Sequence, residues 1–301
     1  MTEKRTFFMK GFIPVFTAGL IWSFGIVPVR YITNAEEYQL QYLFYRGLTI
    51  AIILFSYLFI KEGIKFAESF KRIGKSSVFG ALSLALAFYG FIFSITLTTV
   101  AVTMFMLALM PFIAGVIGFF TLKEKLSGRA LLSMFLAMLG VLIMTSEADM
   151  SGSFWGLVIG FSSALGFAIF SVTLRWRPET PKFTTAALAG FFCSLIAISC
   201  IFIFDYQFQM PTVNIWLSVS HGTIVGSGLI CYTWGAKYLP AAELTLLSLL
   251  EVVGGIFWAW LPFLGINEEP SFTIMLGGVV ILFSVALHSL KVKKAQTPTY
   301  N

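Results

Sequence analysis

The chain has 301 residues, 58% of them apolar and 11% charged, with a mean hydropathy of +0.89. A soluble domain carries about a quarter charged residues, so this composition excludes a soluble fold and points to the bilayer. The net charge of +6 would suggest nucleic acid in a soluble protein. Here Lys and Arg fall in short loops between apolar blocks, where membrane orientation accounts for them, and no nucleic-acid partner is expected.

Taken in chain order, the apolar blocks approach the length of about 20 residues that crosses a bilayer as a helix. The first span is expected at about 11–31, behind Lys4, Arg5 and Lys10, and without a small-residue cleavage site it reads as a retained helix. It carries Trp22, Gly25 and two prolines, Pro14 and Pro28, that can bend it. The second span, about 38–60, holds Arg46 about 12 Å from its start at the helical rise. Gln39, Tyr42, Thr49 and Ile53 share the helix face of Arg46. The uncharged run from Lys75 to Lys123 is twice a crossing and must turn back. The Thr96, Thr98, Thr99 cluster is the expected turn, dividing spans at about 77–96 and 99–121, the second of which Pro111 can bend. A fifth span, about 127–145, closes the first half.

Five more spans follow at about 153–174, 183–204, 214–238, 241–263 and 272–290. Leu239-Pro240 separates the eighth from the ninth, because proline ends a helix at or before its predecessor. Gly156/Gly160 and Gly222/Gly226 are small-xxx-small pairs that permit close helix approach. Trp155, Trp176 and Trp216 lie near span ends and read as interfacial anchors. Cys193, Cys200 and Cys231 are isolated in apolar segments and read as small packed thiols, with no metal or cofactor spacing.

Assigned alternately to two sides, the loops segregate by charge. One side collects both termini and the basic loops at 61–75, 123–129, 175–182 and 237. The other receives Arg30 alone among the basic residues, with Glu36, Glu37, Glu147, Asp149, Asp205, Glu268 and Glu269. The basic side is cytoplasmic by the positive-inside rule, so both termini are expected there.

Laying residues 86–145 over 229–290 aligns Tyr89 with Tyr232 and Phe119 near Trp260. It also brings Lys123-Glu124-Lys125-Leu126-Ser127 near Asn267-Glu268-Glu269-Pro270-Ser271. Both halves repeat the same rhythm of five spans. Because five is odd, the second copy enters from the opposite side. The expected fold is therefore an all-α polytopic membrane protein of ten transmembrane helices in two inverted five-helix repeats, residues 1–146 and 147–291, with a cytoplasmic tail at 292–301.

The stretch Pro240-Ala-Ala-Glu-Leu-Thr-Leu-Leu-Ser-Leu-Leu-Glu251, with Trp258-Ala-Trp260 beyond it, resembles the EamA-type drug/metabolite transporter superfamily. Leu109-Met-Pro111 leading to Leu122-Lys-Glu124-Lys-Leu-Ser127 is the corresponding run in the first half. The resemblance implies a ten-helix bundle around a central cavity, alternating access, and a solute that the family does not name. Val252 follows Glu251 where the family often has proline, so the expected source of a kink is missing there.

Polar groups at membrane depth usually face a cavity. Arg46 and Glu251 break the repeat, matching Ala189 and Met110, which favours substrate handling over scaffolding. Glu251 is also the candidate carrier of a coupling proton, with Ser248, Gly255 and Trp258 near its face; Glu243 reads as a helix cap or a partner of Lys237. His221 reads as a proton carrier or a packing histidine, and shares its helix face with Val225, Gly228 and Tyr232. Trp22, Tyr42, Tyr89, Tyr232 and Trp258 complete the candidate substrate-binding set, offering aromatic surface suited to an organic cation. Arg46 invites a carboxylate, so amino acids or related zwitterions are the first expected substrates and quaternary amines or lipophilic cations the alternative. No aspartate lies in any span and the only histidines are His221 and His288, which leaves intramembrane hydrolysis without its usual groups. No cofactor is expected. The partners are a small-molecule solute and the lipid bilayer of the cell inner membrane, the protein being a monomer or homodimer.

Overall fold

The computed structural model describes residues 2–97, 100–146, 154–177, 179–264 and 270–289, and every regular element among them is helical. The bilayer core offers no water to unpaired backbone groups, and a helix satisfies its own N–H and C=O groups. Among the described residues, nine helical segments are long and apolar enough to cross a membrane, and Phe272–His288 is a shorter apolar helix.

In the first half, α1 (Thr2–Ser23) and α2 (Ile26–Arg30) are followed by α3 (Gln39–Glu62), the short α4 (Phe66–Lys71) and α5 (Lys75–Leu97). Next come α6 (Val100–Leu107), α7 (Met110–Leu122) and α8 (Gly128–Thr145). The second half runs through α9 (Phe154–Trp176), α10 (Lys182–Ile203), α11 (Thr212–Gly235), α12 (Ala241–Ser248), α13 (Leu250–Trp260) and α14 (Phe272–Ser289). The helix expected from about residue 11 starts at Thr2, so Lys4, Arg5 and Lys10 extend it rather than precede it. Thr98 and Thr99 of the expected turn, the 146/147 boundary and the 292–301 tail lie outside the described residues.

Among the described residues, three crossings are broken, two of them by proline. Pro28 has no N–H to give the Phe24 carbonyl, which accepts instead from Val27 at 3.1 Å, and the first crossing divides at Phe24-Gly25. Pro111 likewise leaves Leu107 without its helical donor, and the chain tightens at Leu109 N to Met106 O, 3.1 Å. Pro14 lies inside an unbroken α1. The third break, at Leu249, has no proline. There the Thr245 hydroxyl donates to Ala241 O at 3.1 Å and Ser248 to Thr245 O at 2.7 Å. Hydroxyls that compete for helix carbonyls in this way bend the helix, and Val252 N bonds Leu249 O three residues back, at 3.1 Å.

The main helix contacts are α5 with α9, α3 with α10 and α11, α8 with α14, α1 with α11 and α13, α10 with α5, α7 with α9, and α12 with α7. Two of these are set by facing glycines. A Cβ on Gly47 would lie 2.8 Å from Gly190 O, and one on Gly190 would lie 2.7 Å from Gly47 O. Gly140 and Gly277 face each other in the same way between α8 and α14. Where backbones approach this closely, an added Cβ forces the helices apart. The Gly222/Gly226 pair seats α11 on α3, against Thr49 and Ile53, and Gly160 seats α9 against Ser94.

Candidate functional site

A cavity of about 380 Å³ lies between the halves. It reaches from Val29, Arg30, Ile95 and Pro270 at one end of the bundle to Phe167 and Leu229 part-way along. Most of its wall is apolar. Arg46, His221 and Glu251 supply the ionisable groups at depth, with Ser163 and Ser248 beside them.

Arg46 is 4% exposed, on α3. Gly222 lets α11 press on its backbone, because a Cβ there would meet Arg46 O at 2.7 Å. The guanidinium lies 4.6 Å over the Phe88 ring. Phe88 attracts the cation through its π face but accepts none of its N–H donors, and Nε and Nη1 have no hydrogen-bond partner. A buried polar group left in this way costs about 1–3 kcal/mol, and a charged one more. Glu251 stands in the first turn of α13, two residues beyond the Leu249 break, and lines the same cavity. It forms no ion pair with Arg46; among the described residues, ion pairs join Arg175 to Glu124 and His288 to Glu243. One basic and one acidic side chain therefore face one cavity with no ion pair between them.

The remaining candidates divide into those on the wall and those behind it. His221 lines the cavity, and its Nδ1 shares a 2.5 Å hydrogen bond with the Tyr42 hydroxyl. Its Nε2 faces the break in the first crossing, 3.2 Å from where a Gly25 Cβ would be. Trp22 also lines the cavity, its indole donating to Val225 O at 3.2 Å and seated against Gly228, where any side chain would collide with it. Tyr232 packs behind Trp22, with ring centroids 5.4 Å apart, and its hydroxyl bonds Ser171 at 2.6 Å. Tyr89 ties α5 to α10 by donating to Cys193 O at 2.9 Å. Trp258 bonds the Ser23 hydroxyl at 2.8 Å and stacks on Phe24 at 4.0 Å. Tyr42, Tyr89, Tyr232 and Trp258 are thus outside the cavity wall. Residues not expected from the sequence complete it: Phe88, Phe91, Phe167, Met104, Met110 and Met144.

Away from the cavity mouth, a polar cluster joins the halves. The Glu124 carboxylate accepts from Arg175 Nε at 2.5 Å and from Ala241 N, at the start of α12, at 3.0 Å. Arg175 also donates to Ala236 O at 2.8 Å, at the end of α11. Lys123 turns the chain into this position through a left-handed backbone, φ 56°. One carboxylate thus holds the α7–α8 connection, the end of α9 and the start of α12 together.

The model of the EamA-like transporter family matches residues 9–146 and again 150–290. A relative from Bacillus subtilis (strain 168), the uncharacterized transporter YetK, is 25% identical over 236 residues, 72% of this chain and 66% of its own length. The chain therefore spans just under two thirds of that relative. A solved crystal structure matches 93% of this chain and 96% of its own with a TM-score of 0.74 at 17% identity, a likeness of fold.

Proposed function

The chain belongs to the EamA-like transporter family, a multi-pass membrane transporter of the cell inner membrane, and we propose that it carries zwitterionic metabolites, amino acids foremost, by alternating access. The observation that carries this reading is the unsatisfied Arg46 guanidinium facing a cavity that also holds Glu251. A carboxylate offers paired acceptors that match the planar fork of Arg. Glu251, unpaired on the same cavity, complements an ammonium group. A zwitterion meets both charges at once, whereas either charge alone is costly at this depth.

The helix arrangement supports two five-helix units of opposite direction, 1–146 and 147–291, with Phe272–Ser289 as the tenth crossing. Exchanging each crossing with the one five places on turns the α5–α9 contact into α11–α1, and α3–α11 into α10–α5. The contacts α3–α10, α7–α12 and α8–α14 map onto themselves. The broken crossings α6–α7 and α12–α13 also correspond, as expected for a substrate site built at the repeat interface. With the positive-inside orientation, the cavity mouth at Arg30 and Pro270 faces outward and the Glu124–Arg175 cluster lies on the cytoplasmic side.

Competition in proteoliposomes tests the substrate class. Arg46→Ala is expected to abolish uptake of a zwitterionic amino acid. Retained zwitterion uptake would refute the reading. If the wild type instead carries a quaternary amine, with transport kept in Arg46→Ala and lost in Glu251→Gln, the substrate is an organic cation held by Glu251 and the Trp22 and Phe167 rings.

A further inference from the structure

A second cationic site stands outside the transport cavity, where α3 and α11 end and α10 begins. Tyr57, Phe183 and Trp234 form a box of three rings: Trp234 Nε1 donates to the Tyr57 hydroxyl at 2.7 Å, and Phe183 lies 5.2 Å from Tyr57 and 6.1 Å from Trp234 between centroids. The Lys61 ammonium sits over all three, 4.7 Å from the Phe183 centroid, 5.0 Å from Trp234 and 5.9 Å from Tyr57. Lys237, from the α11–α12 connection, places its ammonium 4.8 Å from the same Trp234 ring.

Two features make this arrangement unusual for surface lysines. Cation–π attraction fixes an ammonium without neutralising it or using its N–H donors as a carboxylate would. Neither Lys61 nor Lys237 forms an ion pair or hydrogen bond with a described residue. Two like charges are thus drawn to one indole with their donors unused. Burial and the charge of Lys61 lower the pKa of Lys237, with Glu62 opposing them. The surroundings indicate what sits beside the pair. Ile60 is 83% exposed and Ile64 86%, close to Lys61 in the chain. That surface suits acyl chains, and lysines at the ends of membrane-crossing helices reach the head groups.

We propose that Lys61, Lys237 and the Tyr57–Phe183–Trp234 box form a binding site for the phosphate of an anionic phospholipid. The lipid's phosphodiester accepts hydrogen bonds from both ammonium groups while its chains lie along Ile60 and Ile64. The same donors would accept free phosphate, which lacks the chains, so the two sources can be separated.

Thermal unfolding of the purified full-length protein in detergent tests the site, with added phosphatidylglycerol, phosphatidylcholine or inorganic phosphate, since a ligand of the folded state raises the midpoint. Phosphatidylglycerol is expected to raise the midpoint by several degrees more than phosphatidylcholine, and inorganic phosphate to leave it unchanged. Lys61→Gln/Lys237→Gln should lose that excess, and Lys71→Gln/Lys75→Gln, equal in charge but away from the rings, should keep it. An unchanged excess in the first pair, an equal loss in the second, or an equal shift with inorganic phosphate overturns the assignment. Should the first pair fail to fold, Lys237→Gln alone must retain fewer phosphatidylglycerol molecules than wild type in native mass spectrometry; equal retention overturns it.

Discussion

Arg46 and Glu251 differ in how far the protein itself satisfies them. The guanidinium is stacked on Phe88 with two nitrogens unpartnered, and Glu251 has the cavity rather than a basic side chain in front of it. A carboxylate in that position is free to bind an ammonium group or a proton. Glu251→Gln keeps the shape and removes the exchange, so uptake into proteoliposomes is expected to fall and what remains to become independent of pH. A variant whose uptake keeps the wild-type pH profile would confine Glu251 to substrate contact. Both residues were legible in the sequence because a charge inside an apolar run is rare and expensive. The cavity's Phe88, Phe167 and three methionines were not. In a chain that is 58% apolar, nothing local separates an apolar side chain facing solute from one facing lipid or another helix. Tyr89 and Trp258 show the converse: they stood out by type, yet their polar atoms are used in tying helices together.

At the scale of the helix, the legible features were those with a backbone cause. Pro28 and Pro111 each remove one N–H and each coincides with a break. The break at Leu249 escaped the sequence reading because it is made by Ser248 and Thr245 hydroxyls acting on carbonyls of their own helix, the missing family proline notwithstanding. The α12–α13 pair it creates is anchored at one end by Glu124, which caps Ala241 N and holds Arg175. Hydrogen bonds to a charged partner contribute about 1.5–3 kcal/mol, enough to shift a two-state equilibrium by roughly 10–100-fold. Glu124→Gln is therefore expected to open this end. A cysteine at Leu239, a position 1% exposed, should react with a water-soluble maleimide about tenfold faster or more than in the parent, both with Cys193, Cys200 and Cys231 replaced by alanine. Equal labelling rates would mean that Glu124 braces the bundle without gating it.

For the molecule as a whole, the order of the helices was readable from hydropathy, while the first begins at Thr2 rather than near residue 11, and the charged loops gave a direction that can be tested. A reporter active only in the cytoplasm, fused after Asn301, is expected to be active; an inactive fusion whose protein is nonetheless inserted would reverse the orientation or the parity of crossings. What hydropathy could not supply was where the halves touch, because packing between apolar helices depends on small residues whose chance frequency is high. Gly47 and Gly190 were unremarkable as letters, yet each backbone blocks a side chain on the other. If the halves are related by a two-fold exchange, that contact lies on the axis itself. A part on the axis is shared equally by both facings of the transporter, so it can set the pace of the cycle but cannot rectify it. Replacing Gly47 and Gly190 together by alanine preserves that exchange and should therefore slow influx and efflux by the same factor, leaving the ratio of the two fluxes untouched, while a change away from the axis, such as at Glu124, biases one facing over the other.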